Sequence, residues 1–234
     1  MRIAEPTRTR YRCVAIIPVK DVSKRVTGKN VRPLGGKPLF EHMLETALRS
    51  RADAVFVNTD SPMVKARAHE VGAHVIERQA YLSRDTANGN DLLLYESGLV
   101  DAEIYVQVFV TAPFLQPQTI NRAIEILETH PAHDSVFTVM PMHSWFWFKG
   151  SPVNYDPQVL PRSQDAQPVI RETTGLYAIR REAQRRGEPL TLEIFESASR
   201  PGGRIQTTAE DGFLVEWAAN GFRTGVGPTR TLIA

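Results

Sequence analysis

Short apolar runs alternate along the 234-residue chain with stretches whose apolar residues recur every three or four positions. The first pattern predicts strands and the second amphipathic helices. Val14-Ala15-Ile16-Ile17-Pro18 reads as a buried strand, and residues 38–49 place Leu39, Met43, Leu44, Ala47 and Leu48 at helical spacing. A second strand follows at Ala54-Val55-Phe56-Val57, a second helix over 63–71 and a third strand at Ala73-His74-Val75-Ile76. Residues 90–100 predict a helix, 104–110 the most strand-like run, and 118–129 a helix with Pro117 in its first turn. Residues 135–140 and 176–179 predict further strands, and 210–219 a last helix. Such alternation builds βαβ units, so the expected class is α/β with a mainly parallel sheet.

The rhythm changes over 141–171. Trp145-Phe146-Trp147-Phe148 is followed by Lys149-Gly150, a turn signal, and prolines stand at 152, 157, 161 and 168. This predicts a flap inserted into a single domain spanning 12–234, with residues 1–11 as a mobile lead-in. The aromatic run suits either a packed interface with a second copy or stacking on a ligand.

Composition narrows the function. Formal net charge is +2, from 28 basic and 26 acidic side chains, which argues against general nucleic-acid binding. The one cysteine, Cys13, excludes an internal disulfide framework and fits a reducing, cytoplasmic setting. No stretch approaches the ~20 apolar residues that span a bilayer, and the N-terminal residues lack the apolar segment of a secretory signal. The six histidines show no metal-ligand spacing.

The segment after the first strand carries the candidate chemistry. It holds Lys20, Lys24, Arg25 and Lys29, the hydroxyls of Ser23 and Thr27, and Gly28 for close backbone approach. In an open parallel sheet, ligands bind beyond the carboxyl ends of the strands. A triphosphate needs this inventory of cations, N–H groups and hydroxyls. The spacing is not that of a Walker-type loop, and the same residues would also make a solvated basic loop.

Ala15-Ile16-Ile17-Pro18, Ser23-Lys24-Arg25, Gly28-Lys29-Asn30 and Leu34-Gly35-Gly36-Lys37-Pro38-Leu39 together resemble the opening signature of the acylneuraminate cytidylyltransferase family. Asn58-Thr59-Asp60, Arg78, Thr111-Ala112-Pro113-Phe114 and Arg162-Ser163-Gln164-Asp165 follow in the family's order, and the resemblance covers roughly residues 13–219. Of these, the Thr111 and Arg162 motifs resemble the branch that activates pseudaminic acid. The resemblance implies a Rossmann-like, three-layer nucleotidyltransferase of glycosyltransferase-A-like topology that transfers CMP from CTP to a sialic-acid-like sugar and releases pyrophosphate. It implies Mg²⁺ as cofactor, CTP and a small acidic acceptor as partners, and a homodimer through the flap.

By the same resemblance Lys29, Lys20 and Arg25 are the expected catalytic cations. Ser23, Lys24, Gly28, Asn30 and Arg78 fall on nucleotide-side positions, and Thr111, Pro113, Arg162 and Gln164 on acceptor-side positions. Asp60 reads either as a nucleotide-side group or as the N-cap of the next helix. The chain departs from the family pattern in four places, one of them Phe109, where the sialic-acid branch has Gln just before its Thr-Ser-Pro motif. Lys20 replaces Arg and loses the bidentate fork, and Asp21-Val22 replaces paired glycines. Ile205-Gln206-Thr207 stands where the family has Asp-Ile-Asp, the carboxylates that hold magnesium. Glu210 and Asp211 are then the metal-side candidates, with Asp21 or the triphosphate's own oxygens as alternatives. Changed acceptor chemistry, such as CMP transfer to a phosphonate or another anionic hydroxyl compound, or a catalytically impaired nucleotide-binding relative, is the second expectation.

Overall fold

The computed structural model describes residues 10–23, 26–84, 86–183, 207–210 and 213–216. In chain order these form β1 (Tyr11–Val19), β2 (Pro33–Leu34), β3 (Lys37–Pro38), α1 (Leu39–Leu48), β4 (Ala54–Thr59), α2 (Pro62–Glu70), β5 (His74–Glu77) and α3 (Gly89–Leu99). There follow β6 (Ala102–Val108), α4 (Pro117–Thr129), β7 (Ser135–Met142), β8 (Trp147–Phe148), β9 (Ser151–Pro152), β10 (Val169–Arg180), β11 (Thr207–Glu210) and β12 (Phe213–Glu216). The chain divides into two compact units, one of residues 1–138 and 174–188 and the other of 139–173 and 189–234.

The first unit is organised by β1, whose seven consecutive residues from Cys13 to Val19 are buried. A strand buried on both faces needs apolar side chains at every position, which is why it reads as a continuous run. It pairs in parallel with β4, Val14 opposite Ala54 and Val19 opposite Thr59, and with β6, Tyr11 opposite Ala102 and Ile16 opposite Gln107. The sheet order is β5-β4-β1-β6-β10-β7, with β10 antiparallel to β6. The mainly parallel α/β class expected from the sequence is the one observed.

Alternation along the strands separates two cores. Ala15, Ile17, Val55, Val57, Ile104 and Val106 pack with Phe40, Met43 and Leu44 of α1, Val64 of α2 and Ile120 and Ile124 of α4. Val14, Ile16, Phe56 and Tyr105 face the opposite side, where Leu93 and Tyr95 of α3 cover them. The helices therefore flank the sheet on both faces, making three layers. His74 stacks on Phe56 at 4.9 Å, a structural role. Gly175 of β10 has no room for a side chain, since a Cβ there would lie 3.2 Å from Thr138 Oγ1.

In the second unit, β8 and β9 form a hairpin whose two-residue turn, Lys149-Gly150, has positive φ at both positions, 48° and 81°. That is the handedness a two-residue hairpin requires. Asn154 secures it, donating Nδ2 to the carbonyls of Ser144 and Gln167 and accepting the Phe146 N–H.

The helix predicted over 210–219 is not what forms. β11 and β12 pair antiparallel instead, with Glu210 opposite Phe213. The sequence holds the reason: Asp211-Gly212 is a two-residue hairpin signal followed by Phe213-Leu214-Val215, a β-prone run.

Asp60 is not the N-cap of α2 either; Ser61 holds that position. The Asp60 carboxylate joins two segments, accepting the Asp21 backbone N–H on Oδ1 and the Ser83 hydroxyl on Oδ2, each at 2.7 Å. Burial pushes this carboxyl up, but the bonds from Ser83 and Asp21, with the Arg78 charge, outweigh it and hold the group below its ordinary range. A depressed folded-state value means that the stabilisation is present above the unfolded-state pKa and is lost as pH falls through the folded one. Asp60→Asn is thus predicted to cost about 1 kcal/mol at pH 7, one acceptor oxygen being retained. The difference from the parent should shrink as pH drops below roughly 4, which paired thermal melts at pH 7 and pH 3 would measure.

Candidate active site

A cavity of about 320 Å³ opens at the carboxyl edge of the sheet in the first unit. The parallel strands deliver its walls. Pro18, Lys20 and Ser23 come from the end of β1 and the segment after it, Lys29 and Asn30 from a short 3-10 turn (Lys29–Val31), and Arg78 from just past β5. Phe109, Val110 and Thr111 follow β6, while Arg84, Asn88 and Gly89 lead into α3.

Local sequence explains these placements. Gly28 caps the 3-10 turn at φ 63°, a left-handed conformation that glycine adopts without strain. Asn30 is buried, and its Nδ2 donates to the Lys20 carbonyl at 2.8 Å, which folds the basic segment back over the sheet. Asn88 and Asp91 form a capping box at the start of α3, each side chain accepting the other's backbone N–H.

The cavity's charge is one-sided. Lys20, Lys29, Arg78 and Arg84 line it, and among the described residues no carboxylate does. Clustered cations in a partly enclosed space raise the local concentration of anions. Beside these cations one buried acceptor and one buried donor are left unsatisfied. Among the described residues, Asn30 Oδ1 and Arg78 Nη2 have no hydrogen-bond partner, and both belong to lining residues. A buried polar group left unpaired costs about 1–3 kcal/mol, so such a pair marks a place built to meet a ligand.

Arg78 is only 8% exposed. Burial draws its guanidinium below the usual range, with the charges of Asp60 and Glu96 opposing the shift. Its Nε donates to Asn58 Oδ1 at 3.2 Å, Asn58 Nδ2 donates to Glu96 Oε1 at 2.6 Å, and Gln107 Nε2 donates to Glu96 Oε2 at 2.7 Å. Glu96 is fully buried. Burial pushes its carboxyl up to about 7, against the pull of Gln107, Asn58 and Arg78.

The structure thus brings together Lys20, Ser23, Lys29, Asn30, Arg78 and Thr111 of the residues singled out in the sequence, with Gly28 shaping the turn beneath them. Pro113 lies in the turn before α4 and is not among the cavity's lining residues. Arg162 and Gln164 belong to the second unit, at a 3-10 turn (Ser163–Asp165), where Arg162 Nε donates to Asp165 Oδ2 at 2.5 Å. Lys24, Arg25 and Asp211 lie outside the described residues, and Glu210 is described only as the last residue of β11. Sequence reasoning missed Arg84, Asn88, Glu96 and Gln107. The spacing Leu92, Glu96, Val100 was a usable signal, since it sets a glutamate on the apolar face of its helix.

Among the described residues no group of three His, Cys, Asp or Glu side chains gathers, and both Asp60 oxygens are already engaged. Mg²⁺ accompanying a triphosphate needs only one or two protein carboxylates. No helix among the described residues is long and apolar enough to cross a membrane.

Known proteins resemble the chain in sequence and fold. An N-acylneuraminate cytidylyltransferase A from Danio rerio is 28% identical over 193 residues, 78% of this chain and 45% of that protein. An 8-amino-3,8-dideoxy-manno-octulosonate cytidylyltransferase from Shewanella amazonensis is 28% identical over 128 residues, 53% of this chain and 51% of the relative. The chain therefore spans about half the length of these curated relatives. A solved CMP:2-keto-3-deoxy-manno-octonic acid synthetase complexed with CTP shares the fold, with a TM-score of 0.59 at 23% identity over 74% of this chain and 76% of that one. Residues 14–224 match the family model described as cytidylyltransferase, and the chain belongs to that family.

Proposed function

We propose that the chain transfers CMP from CTP to an acidic nonulosonic sugar of the sialic-acid type, releasing pyrophosphate. The observation that carries this reading is the cavity lined by four cationic residues and, among the described residues, by no carboxylate, with two unpartnered buried polar atoms, Asn30 Oδ1 and Arg78 Nη2. In the reaction the acceptor's hydroxyl oxygen bonds to the α-phosphorus and loses its proton to solvent, the bond from that phosphorus to the bridging oxygen breaks, and pyrophosphate carries the bridging oxygen away. Little covalent help is needed; positioning and charge stabilisation dominate such transfers. Lys20 and Lys29 are the cations for the phosphates, Ser23 and Asn30 supply neutral hydrogen-bonding groups, and Arg78 serves the nucleoside side. Thr111, past the end of β6, borders the acceptor.

Mg²⁺ enters this proposal as the triphosphate's accompanying ion, and Glu210 and Asp211 remain its candidate protein ligands. Arg162 and Gln164 are proposed for the acceptor's carboxylate. A cytoplasmic setting is part of the proposal, supported by a sequence with one cysteine and so no internal disulfide.

The second unit exposes Trp147, Phe148 and Val159, at 57%, 67% and 74%. Apolar surface of that extent on neighbouring segments supports a second copy of this chain as occupant, giving a homodimer.

A pyrophosphate-release assay with CTP, Mg²⁺ and a panel of acceptors tests the function. Turnover with a nine-carbon sugar acid is the expected result. Turnover with phosphonates alone would move the reading to another anionic acceptor, and CTP binding without release would make the chain a silent relative. Lys29→Ala is predicted to lower turnover ten-fold or more, since a lost charge-assisted contact costs about 1.5–3 kcal/mol; unchanged kinetics in a folded variant would remove Lys29 from the site. Replacing Trp145 and Trp147 with Ser is predicted to yield monomers by light scattering, and persistent dimers would place the interface elsewhere.

A further inference from the structure

Three buried polar side chains lie behind the cavity wall with no place in the proposed chemistry: Glu96 of α3, Asn58 of β4 and Gln107 of β6, none more than 3% exposed. Their strands flank β1 on either side, and alternation turns Asn58 and Gln107 toward the α3 face, as it does Phe56 and Tyr105. One carboxylate thus collects an amide N–H from each neighbouring strand.

The chain of bonds has a definite direction. A guanidinium can only donate and a carboxylate can only accept, whereas a carboxamide has one end of each kind. Asn58 lies between an arginine and a glutamate, so its amide has a single satisfactory orientation: Nδ2 toward Glu96, Oδ1 toward Arg78 Nε. Reversing it would set oxygen against carboxylate and N–H against N–H. Arg78 is held through Nε, and Nη2 of this cavity-lining residue keeps no partner within the described protein.

We propose that Glu96 is a positioning residue for nucleotide binding, acting through Asn58 to hold the Arg78 guanidinium in place for the nucleotide. This rests on the reading of Arg78 as a nucleotide-side residue. It explains why a carboxylate sits at the bottom of an otherwise apolar layer, where desolvation makes it costly.

The test is a double-mutant cycle on CTP affinity, measured by calorimetry with CTP alone, using Glu96→Met, Arg78→Met and the double variant. Methionine keeps the volume of residue 96 and removes its acceptor oxygens. Glu96→Met is expected to weaken CTP binding roughly 10-fold when Arg78 is present, and less than about 2-fold when Arg78 is already Met. A glutamate needed only for packing would shift both backgrounds alike, and that outcome, or unaltered affinity in Glu96→Met, overturns the proposal. In Glu96→Gln the new Oε1 can still serve Asn58 while the Gln107 amide reverses to accept from Nε2, so affinity is expected within about 3-fold of the parent. Should Glu96→Met fail to fold, Asn58→Leu in the same cycle cuts the chain one bond nearer to Arg78, and parental affinity there also overturns it. Absence of CTP binding in the parent protein would instead sink the functional reading itself.

Discussion

Strand β1 is the constraint from which the rest follows. It is paired on both edges and buried on both faces, so neither its register nor its facing can change without displacing a core layer. Because β4, β1 and β6 run parallel, the segments leaving their carboxyl ends emerge on one edge of the sheet. Pro18 opposite Asn58 and Val19 opposite Thr59 fix where the chain leaves β1, and Asp60 then receives the Asp21 N–H. The basic segment of residues 20–30 is anchored at both ends, by Asp60 and by the Asn30 bond to the Lys20 carbonyl.

What that anchoring produces is an electrostatic arrangement rather than a shape alone. Four cationic residues and the start of α3 border the cavity, and two carboxylates behind it are already engaged. Asp60 is committed to two hydrogen bonds, and Glu96 accepts from Asn58, which in turn accepts from the lining residue Arg78. The anions shape and orient the cations without neutralising the space a phosphate would occupy. Burial makes such oriented donors more effective, because little water competes with them.

The family relationship and the physical reading bear on different parts of this picture. Membership in the cytidylyltransferase family rests on nearly the whole chain. The case for a nucleotide in this cavity stands on Lys20, Lys29, Asn30 and Arg78 meeting in one place, which the fold requires and the family match alone does not state.

By itself the sequence determined the elements and their class. Period-two and period-3.6 patterns are local, and the strands and helices of the main sheet could be read from them, with β10 starting at Val169, seven residues before the predicted 176. The two-residue β2 and β3 are too short to show such a pattern, and β11 and β12, formed in place of a helix, are marked by Asp211-Gly212, itself a local signal. Ligand-side residues were legible where a motif carried them, as with Lys29-Asn30 and Arg78. Tertiary structure alone decided which buried polar atoms meet. Asn58 and Glu96 are 38 positions apart, and Asp60 and Asp21 are 39. Periodicity says which face a side chain occupies, but not which partner faces it. That depends on strand register and helix placement across the whole sheet, which exist only once the long-range pairing has formed.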